Sequence, residues 1–153
     1  IVLVPYFLFQ TGFVYEVTGS QSWSLPLSKH RMSAFFLYRY IGYFEERDVF
    51  GALWMSKNVD VENSRVYADF ISRDTVLSTY GMTYRGYVHG LSNTTIVRAN
   101  STVYLSTLNV VYGTMVSKNS LWNSSDLSFL NNINKAYSNG ATEIYINPRH
   151  ARD

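Results

Sequence analysis

The chain opens on an almost unbroken apolar run, Ile1 to Phe9 (IVLVPYFLF), and is polar by comparison from there on. Polar residues arrive at Gln10, Thr11 and Gly12, followed by Phe13-Val14-Tyr15 and then Glu16. A membrane-spanning helix needs about 20 apolar residues, so this segment is too short to cross by itself. It fits the outer half of a span whose first half precedes Ile1, with Tyr6, Phe7, Phe9, Phe13 and Tyr15 as the aromatic belt of the membrane interface. A helix or strand buried in the domain itself also accounts for the periodicity. A signal peptide fits poorly, because a basic leader and a small-residue cleavage site are missing and Ile1 is no initiator methionine. The expected organisation is an apolar N-terminal segment over residues 1–17 and an α/β domain over residues 18–153.

Further along, Thr18 to Lys29 is Ser-rich and broken by Pro26, which predicts a loop or edge segment. Arg31 to Phe44 is aromatic-rich and leaves a strand pair and a helix lead-in both open. Glu45 to Lys57 predicts a helix: acids crowd its first turn, where the macrodipole favours them, and Lys57 closes it. Val49, Phe50, Leu53 and Trp54 then share one face, expected to be core. Arg65 to Ala68 predicts a strand that ends in Asp69 and opens an α/β unit. Thr75 to Tyr80 is a short helix or strand, and Gly81, Gly86 and Gly90 punctuate a Tyr-rich loop. Ser101 to Val116 predicts a longer strand, with Gly113 at its end or in a bulge. Ser124 and Ser125 before Asp126 predict a capped helix with an apolar face of Leu127, Leu130, Ile133 and Tyr137, stopped at Asn139-Gly140. Glu143 to Asn147 alternates as a strand, closed by Pro148. A strand, a helix and a second strand in that order predict a right-handed crossover and parallel pairing. The expected fold class is α/β, with a small, mostly parallel sheet flanked by helices.

Composition adds a location to this picture. Charged residues make up 16% of the chain, against an average of roughly 25%, while Tyr alone occurs 13 times and Phe 9 times. A surface built from Ser, Thr, Asn and Tyr suits a wall or sugar-rich setting. The net charge of +2, with no basic cluster outside the tail from Arg149 to Arg152, argues against nucleic acid as a partner. Cysteine is absent, so neither disulfides nor thiolate sites arise. Three N-glycosylation acceptors, Asn93-Thr94-Thr95, Asn100-Ser101-Thr102 and Asn123-Ser124-Ser125, lack Pro at the middle position. The first two flank a predicted strand start and the third precedes a predicted helix, where loops are exposed. Asn123 is also explained as a loop residue beside the cap. Acceptors of this kind are used on the outer side of a membrane, so the expected location is extracytoplasmic, membrane-anchored or at the cell surface.

Catalytic patterns are sparse. Glu45, Glu46 and Asp48 are the densest acid cluster, and paired carboxylates can serve acid–base chemistry or hold a hard cation. Neighbours on a helix diverge by about 100°, and first-turn acids already have a sufficient reason in the dipole, so they read as structural. Asp69 stands at a strand's C-terminal end, the ligand position of an open α/β sheet, where a turn or capping role competes. His30, His89 and His150 are scattered and predict no metal. Gly81, Gly86 and Gly90 match no phosphate-binding fingerprint, Ser78 and the serines near Asn123 no nucleophile elbow, and no cofactor is expected. Trp23, Trp54 and Trp122 are candidate sugar-stacking platforms, although Trp54 fits the core and Trp122 fits packing on the adjacent helix.

The run from Pro5 to Glu16 (PYFLFQTGFVYE) resembles the end of the last membrane helix in a family of archaeal multi-pass membrane proteins of unknown function. Similar stretches are Glu46 to Ala52, Val66 to Asp69, Leu108 to Val111 and Lys135 to Gly140. In that family the C-terminal part is a domain on the outer face, behind a membrane region resembling the GT-C class of lipid-linked-sugar glycosyltransferases. The resemblance implies a non-catalytic, extracytoplasmic accessory domain, held to the membrane through its N-terminal segment or upstream helices. The family's catalytic acids lie in loops of the membrane half, so no active-site residue carries over. The competing expectation is a secreted self-assembling subunit, of filament or surface-layer type, whose apolar N-terminus packs into neighbouring copies. In that reading the partner is the chain itself, or glycan.

Overall fold

The computed structural model describes residues 3–10, 13–19, 38 and 42–148. The chain divides into two units, Ile1–Ile41 and Gly42–Asp153. Most of the expected loop at Thr18 to Lys29 and of the aromatic run from Arg31 lies outside the described residues, as do Trp23, His30 and His150.

The first unit holds two short helices, α1 (Leu3–Gln10) and α2 (Phe13–Thr18). Leu3 is 80% exposed and Phe7 64%, and Val4, Tyr6 and Phe9 are exposed as well. No helix among the described residues is long and apolar enough to cross a membrane.

The second unit begins with α3 (Glu46–Asn58), entered through Glu45 in extended conformation. Strand β1 (Arg65–Ala68) follows, then a π-helical turn (Ser72–Leu77), a 3-10 turn (Arg85–Tyr87) and β2 (Val88–Gly90). After β3 (Ser101–Leu105) come the one-turn helix α4 (Thr107–Val110) and the hairpin of β4 (Thr114–Val116) and β5 (Leu121–Asn123). Two 3-10 turns, Ser124–Asp126 and Ser128–Asn132, lead into β6 (Asn134–Ser138) and β7 (Glu143–Asn147).

Five strands form one sheet in the order β2-β1-β3-β7-β6. Strand β1 pairs in parallel with β2 and β3, whereas β7 pairs antiparallel with both β3 and β6. The α/β class therefore holds, but the sheet is mixed rather than mostly parallel. The reason lies in residues 124–138. The spacing of three between Leu127, Leu130 and Ile133 belongs here to 3-10 turns, which share that period, and Asn134 to Ser138 is a strand instead of the second half of a helix. No crossover helix intervenes, so β6 and β7 close as a hairpin. Gly140, at φ +85, makes its turn. The 101–116 segment likewise breaks after Leu105, where Ser106 enters α4, so the single long strand becomes a strand, a helical turn and a hairpin arm.

Side chains alternate across the sheet with a period of two. Val66, Ala68, Val88, Tyr104 and Ile144 face a layer formed by Ala52 and Met55 of α3 and by Val76 and Leu77 of the π-helical turn. Tyr67, Val103, Leu105 and Tyr145 face the other way, onto Leu91, Met115 and Leu127, with Leu130 and Ile133 packed alongside. Each aliphatic side chain buried in this way contributes about 1.5–3 kcal/mol.

Helix α3 forms as expected but is rotated from its expected orientation. Its buried face is Asp48, Gly51, Ala52 and Met55, while Phe50 is 52% exposed and Leu53 is exposed too. Trp54 is half-buried, stacked on Tyr137 at a 5.0 Å ring separation. An acid outranked two large apolar residues for the core side, and the contacts of Asp48 explain why.

Candidate functional site

Two aspartates, Asp48 and Asp69, are fully buried (0% exposed) at the C-terminal ends of the parallel strands. Asp48 sits in the first turn of α3. Its Oδ1 accepts from Thr107 N–H (2.7 Å), Thr107 Oγ1 (2.9 Å) and Thr142 Oγ1 (2.7 Å). Its Oδ2 accepts from Glu45 N–H at 2.9 Å, closing the helix's own N-terminus. One carboxylate thus binds α3 to the start of α4 and to the turn before β7. Tyr104 Oη donates to the Asp48 carbonyl at 2.8 Å, and burial, followed by the nearby Asp48 charge, holds this phenol well above its ordinary pKa.

Asp69 follows β1 directly. Its Oδ1 accepts from Ser72 N–H (2.7 Å), starting the π-helical turn, and its Oδ2 from Asn109 Nδ2 (2.9 Å) and Val116 N–H (3.4 Å). Burial pushes this carboxyl up, opposed by hydrogen bonds from Ser72, Asn109 and Val116. Asn109 is the second junction: its Oδ1 accepts from Ser106 N–H and Oγ, while Nδ2 also donates to the Thr114 carbonyl. Buried polar groups need such partners, since an unpaired one costs about 1–3 kcal/mol.

Of the four acids that carried chemical candidacy, Asp48 and Asp69 are therefore structural junctions with no surface reachable by a substrate. A depression of about 270 Å³ beside Phe70, Arg73, Gly90 and Leu91 receives neither aspartate among its lining residues. Glu46 is exposed, whereas Glu45 and Asp48 stay joined in a capping box, the Glu45 side chain accepting from Asp48 N–H and Asp48 Oδ2 from Glu45 N–H. Among the described residues, no group of three or more His, Asp or Glu gathers in metal-holding geometry. Trp54 belongs to the core margin and Trp122 packs against the second apolar cluster.

The three acceptor asparagines are all exposed. Asn93 lies in the loop between β2 and β3, and among the described residues its amide nitrogen has no hydrogen bond. Asn123 uses Oδ1 to accept from Ser125 N–H at 2.9 Å. Asn100, at φ +58, directs Nδ2 to the Asn63 carbonyl at 3.4 Å.

Sequence reasoning did not single out Ser106, Thr107, Asn109 or Thr142, the donors that make the acids structural. The Ser106-x-x-Asn109 spacing is the local signal, since it is a helix-entry pattern inside what otherwise looks like a strand. It also missed a basic depression of about 440 Å³ lined by Arg65, Tyr67, His89, Ile96 and Arg98.

The architecture defines a mixed α/β domain whose buried acids are scaffold, carried on a chain that begins with exposed apolar helices. The chain belongs to the family described as Predicted membrane protein (DUF2206), which it matches over residues 1–145. No curated protein and no solved structure matches it.

Proposed function

We propose that this chain is the extracytoplasmic, non-catalytic accessory domain of a multi-pass membrane protein resembling the GT-C class of lipid-linked-sugar glycosyltransferases. Its role is to position or stabilise the membrane region, which carries the chemistry. The observation behind this reading is the exposed apolar surface of α1, where Leu3, Val4, Tyr6, Phe7 and Phe9 face outward in a chain of a membrane-protein family. Such a surface calls for lipid or apolar protein around it. The inward commitment of Asp48 and Asp69 supports a scaffold rather than a catalyst. Asn93 and Asn123 are the acceptors whose geometry best suits glycan attachment, with Asn100 the third.

Side-chain accessibility in intact cells tests the location. The chain has no cysteine, so Ser128→Cys in the full-length protein adds a thiol at an exposed site. Labelling of that thiol by a membrane-impermeant maleimide before lysis is expected, together with glycan mass on the peptides containing Asn93 and Asn123. Labelling that requires lysis would overturn the extracytoplasmic placement.

A further inference from the structure

The loop from Leu91 to Asn100 must return from the C-terminal end of β2 to the N-terminal end of β3, so it runs back across one face of the sheet. Val97 anchors it to the second apolar cluster, while Ile96 stands 85% exposed. Between loop and sheet lies the depression of about 440 Å³. Its floor follows from strand geometry: Arg65 and Tyr67 are two apart on β1 and point the same way, and Tyr67 is in register with His89 on β2, their rings 5.6 Å apart. Arg98 closes the depression from the loop side.

Three features distinguish this place from an ordinary basic surface. No carboxylate lines it. Among the described residues the ion pairs are Arg73 and Arg85 with Asp74, and Lys135 with Glu143, so neither Arg65 nor Arg98 has an acidic partner. The backbone carrying Arg98 is also pinned. Its carbonyl accepts from Ser101 Oγ and from Asn147 Nδ2 (3.0 Å), which also donates to the Val97 carbonyl (3.2 Å). Asn100 N–H donates to the Asn147 carbonyl at 2.9 Å. The base of the loop is thereby tied to β3 and β7, and the backbone positions of the two arginines are set by the fold.

We propose that this depression binds a phosphate ester. A guanidinium offers a planar fork of donors matched to two phosphate oxygens. Two such forks and an imidazole lining one depression suit a phosphate or diphosphate group, and Tyr67 and Ile96 supply apolar wall for the group that carries it. Phosphate in this form reaches the domain as a soluble ester or as a lipid headgroup, and both present the same oxygens. The inference rests on this site alone and stands whether or not the accessory-domain reading holds.

The test uses the whole chain with two kinds of probe. Inorganic pyrophosphate is titrated by calorimetry, with the His89 ring resonances followed by NMR. Co-sedimentation is measured with phosphatidylglycerol vesicles and with phosphatidylcholine vesicles. Saturable pyrophosphate binding that shifts His89 marks a soluble ester, and binding confined to phosphatidylglycerol vesicles marks a headgroup; either supports the site. Arg65→Gln and Arg98→Gln should each weaken that binding about tenfold or more, with urea midpoints unchanged because both side chains are exposed. Arg47→Gln, an exposed arginine on α3, should bind like the parent protein. Absence of binding to every probe, or equal loss in Arg47→Gln and Arg65→Gln, overturns the proposal.

Discussion

Replacing Asp48 by Ala removes the acceptor for four donors, three on Oδ1 and one on Oδ2. At about 1.5–3 kcal/mol for each hydrogen bond to a charged group, the simple sum is about 6–12 kcal/mol. That sum overcounts. The Thr107 and Thr142 hydroxyls can rotate to other acceptors, Glu45 N–H lies near solvent, and the protein no longer buries a charge. What survives is an unpaired, buried Thr107 N–H, about 1–3 kcal/mol, and the lost closure of the helix N-terminus, about 1 kcal/mol. The expected destabilisation is therefore about 3 kcal/mol, a sizeable share of a domain stability of roughly 5–15 kcal/mol. With a urea slope near 1.5 kcal/mol/M, the midpoint should fall by about 2 M. Asp48→Asn should fall between the parent and Asp48→Ala, because its amide oxygen can still serve the two threonines while its NH₂ opposes Glu45 N–H. Glu46→Ala, an exposed neighbour in the same first turn, should stay within about 0.5 kcal/mol. An Asp48→Ala midpoint within about 0.3 M of the parent, or equal shifts for Asp48→Ala and Glu46→Ala, would refute the junction role.

The same junction constrains Gly51, whose added Cβ would meet Thr142 Cγ2 at 2.5 Å and Tyr104 at 3.4 Å. Gly51→Ala should thus destabilise by about 1–3 kcal/mol through overpacking, against the gain of about 1 kcal/mol that the helix propensity of Ala promises; a higher thermal midpoint would contradict the close approach. Asp69, whose pKa is raised by burial, holds its proton in the folded state to higher pH than in the unfolded chain. Its contribution to stability therefore declines as pH rises from about 3.9, the unfolded value, through the raised folded value, and is flat above it. Asp69→Asn should lack that decline, and urea midpoints that follow the same pH curve in both proteins would show that Asp69 does not titrate this way.

Local pattern was enough for several elements. The acid-led helix from Glu45, the strand ending at Asp69 and the alternation of Glu143 to Asn147 all appear where the residues predict them, because caps, dipoles and periodicity act within a few residues. The candidate acids were legible too, and so was the structural reading of the Glu45–Asp48 cluster, although the dipole is only part of its cause. What was not legible is orientation and pairing. Nothing local says that Asp48 rather than Phe50 turns inward, since that depends on Thr107 and Thr142, 59 and 94 residues away. Nor does a spacing of three distinguish the 3-10 turns at Leu127 to Ile133 from a helix, and that ambiguity alone separates a parallel crossover from the observed hairpin. Arg65, His89 and Arg98 were individually unremarkable side chains until strand register and the returning loop brought them around one depression.

By itself, the sequence determined the apolar opening, the absence of thiol chemistry, the three Asn-x-Ser/Thr triplets and the location of β1, β3, β7 and helix α3. Tertiary structure alone decided the mixed sheet, the burial of both aspartates and the convergence of the basic side chains. The physical reason is range. Propensity and capping are satisfied by neighbours in the chain, whereas a buried carboxylate must find donors and an open sheet must find edges, and these partners lie dozens of residues apart.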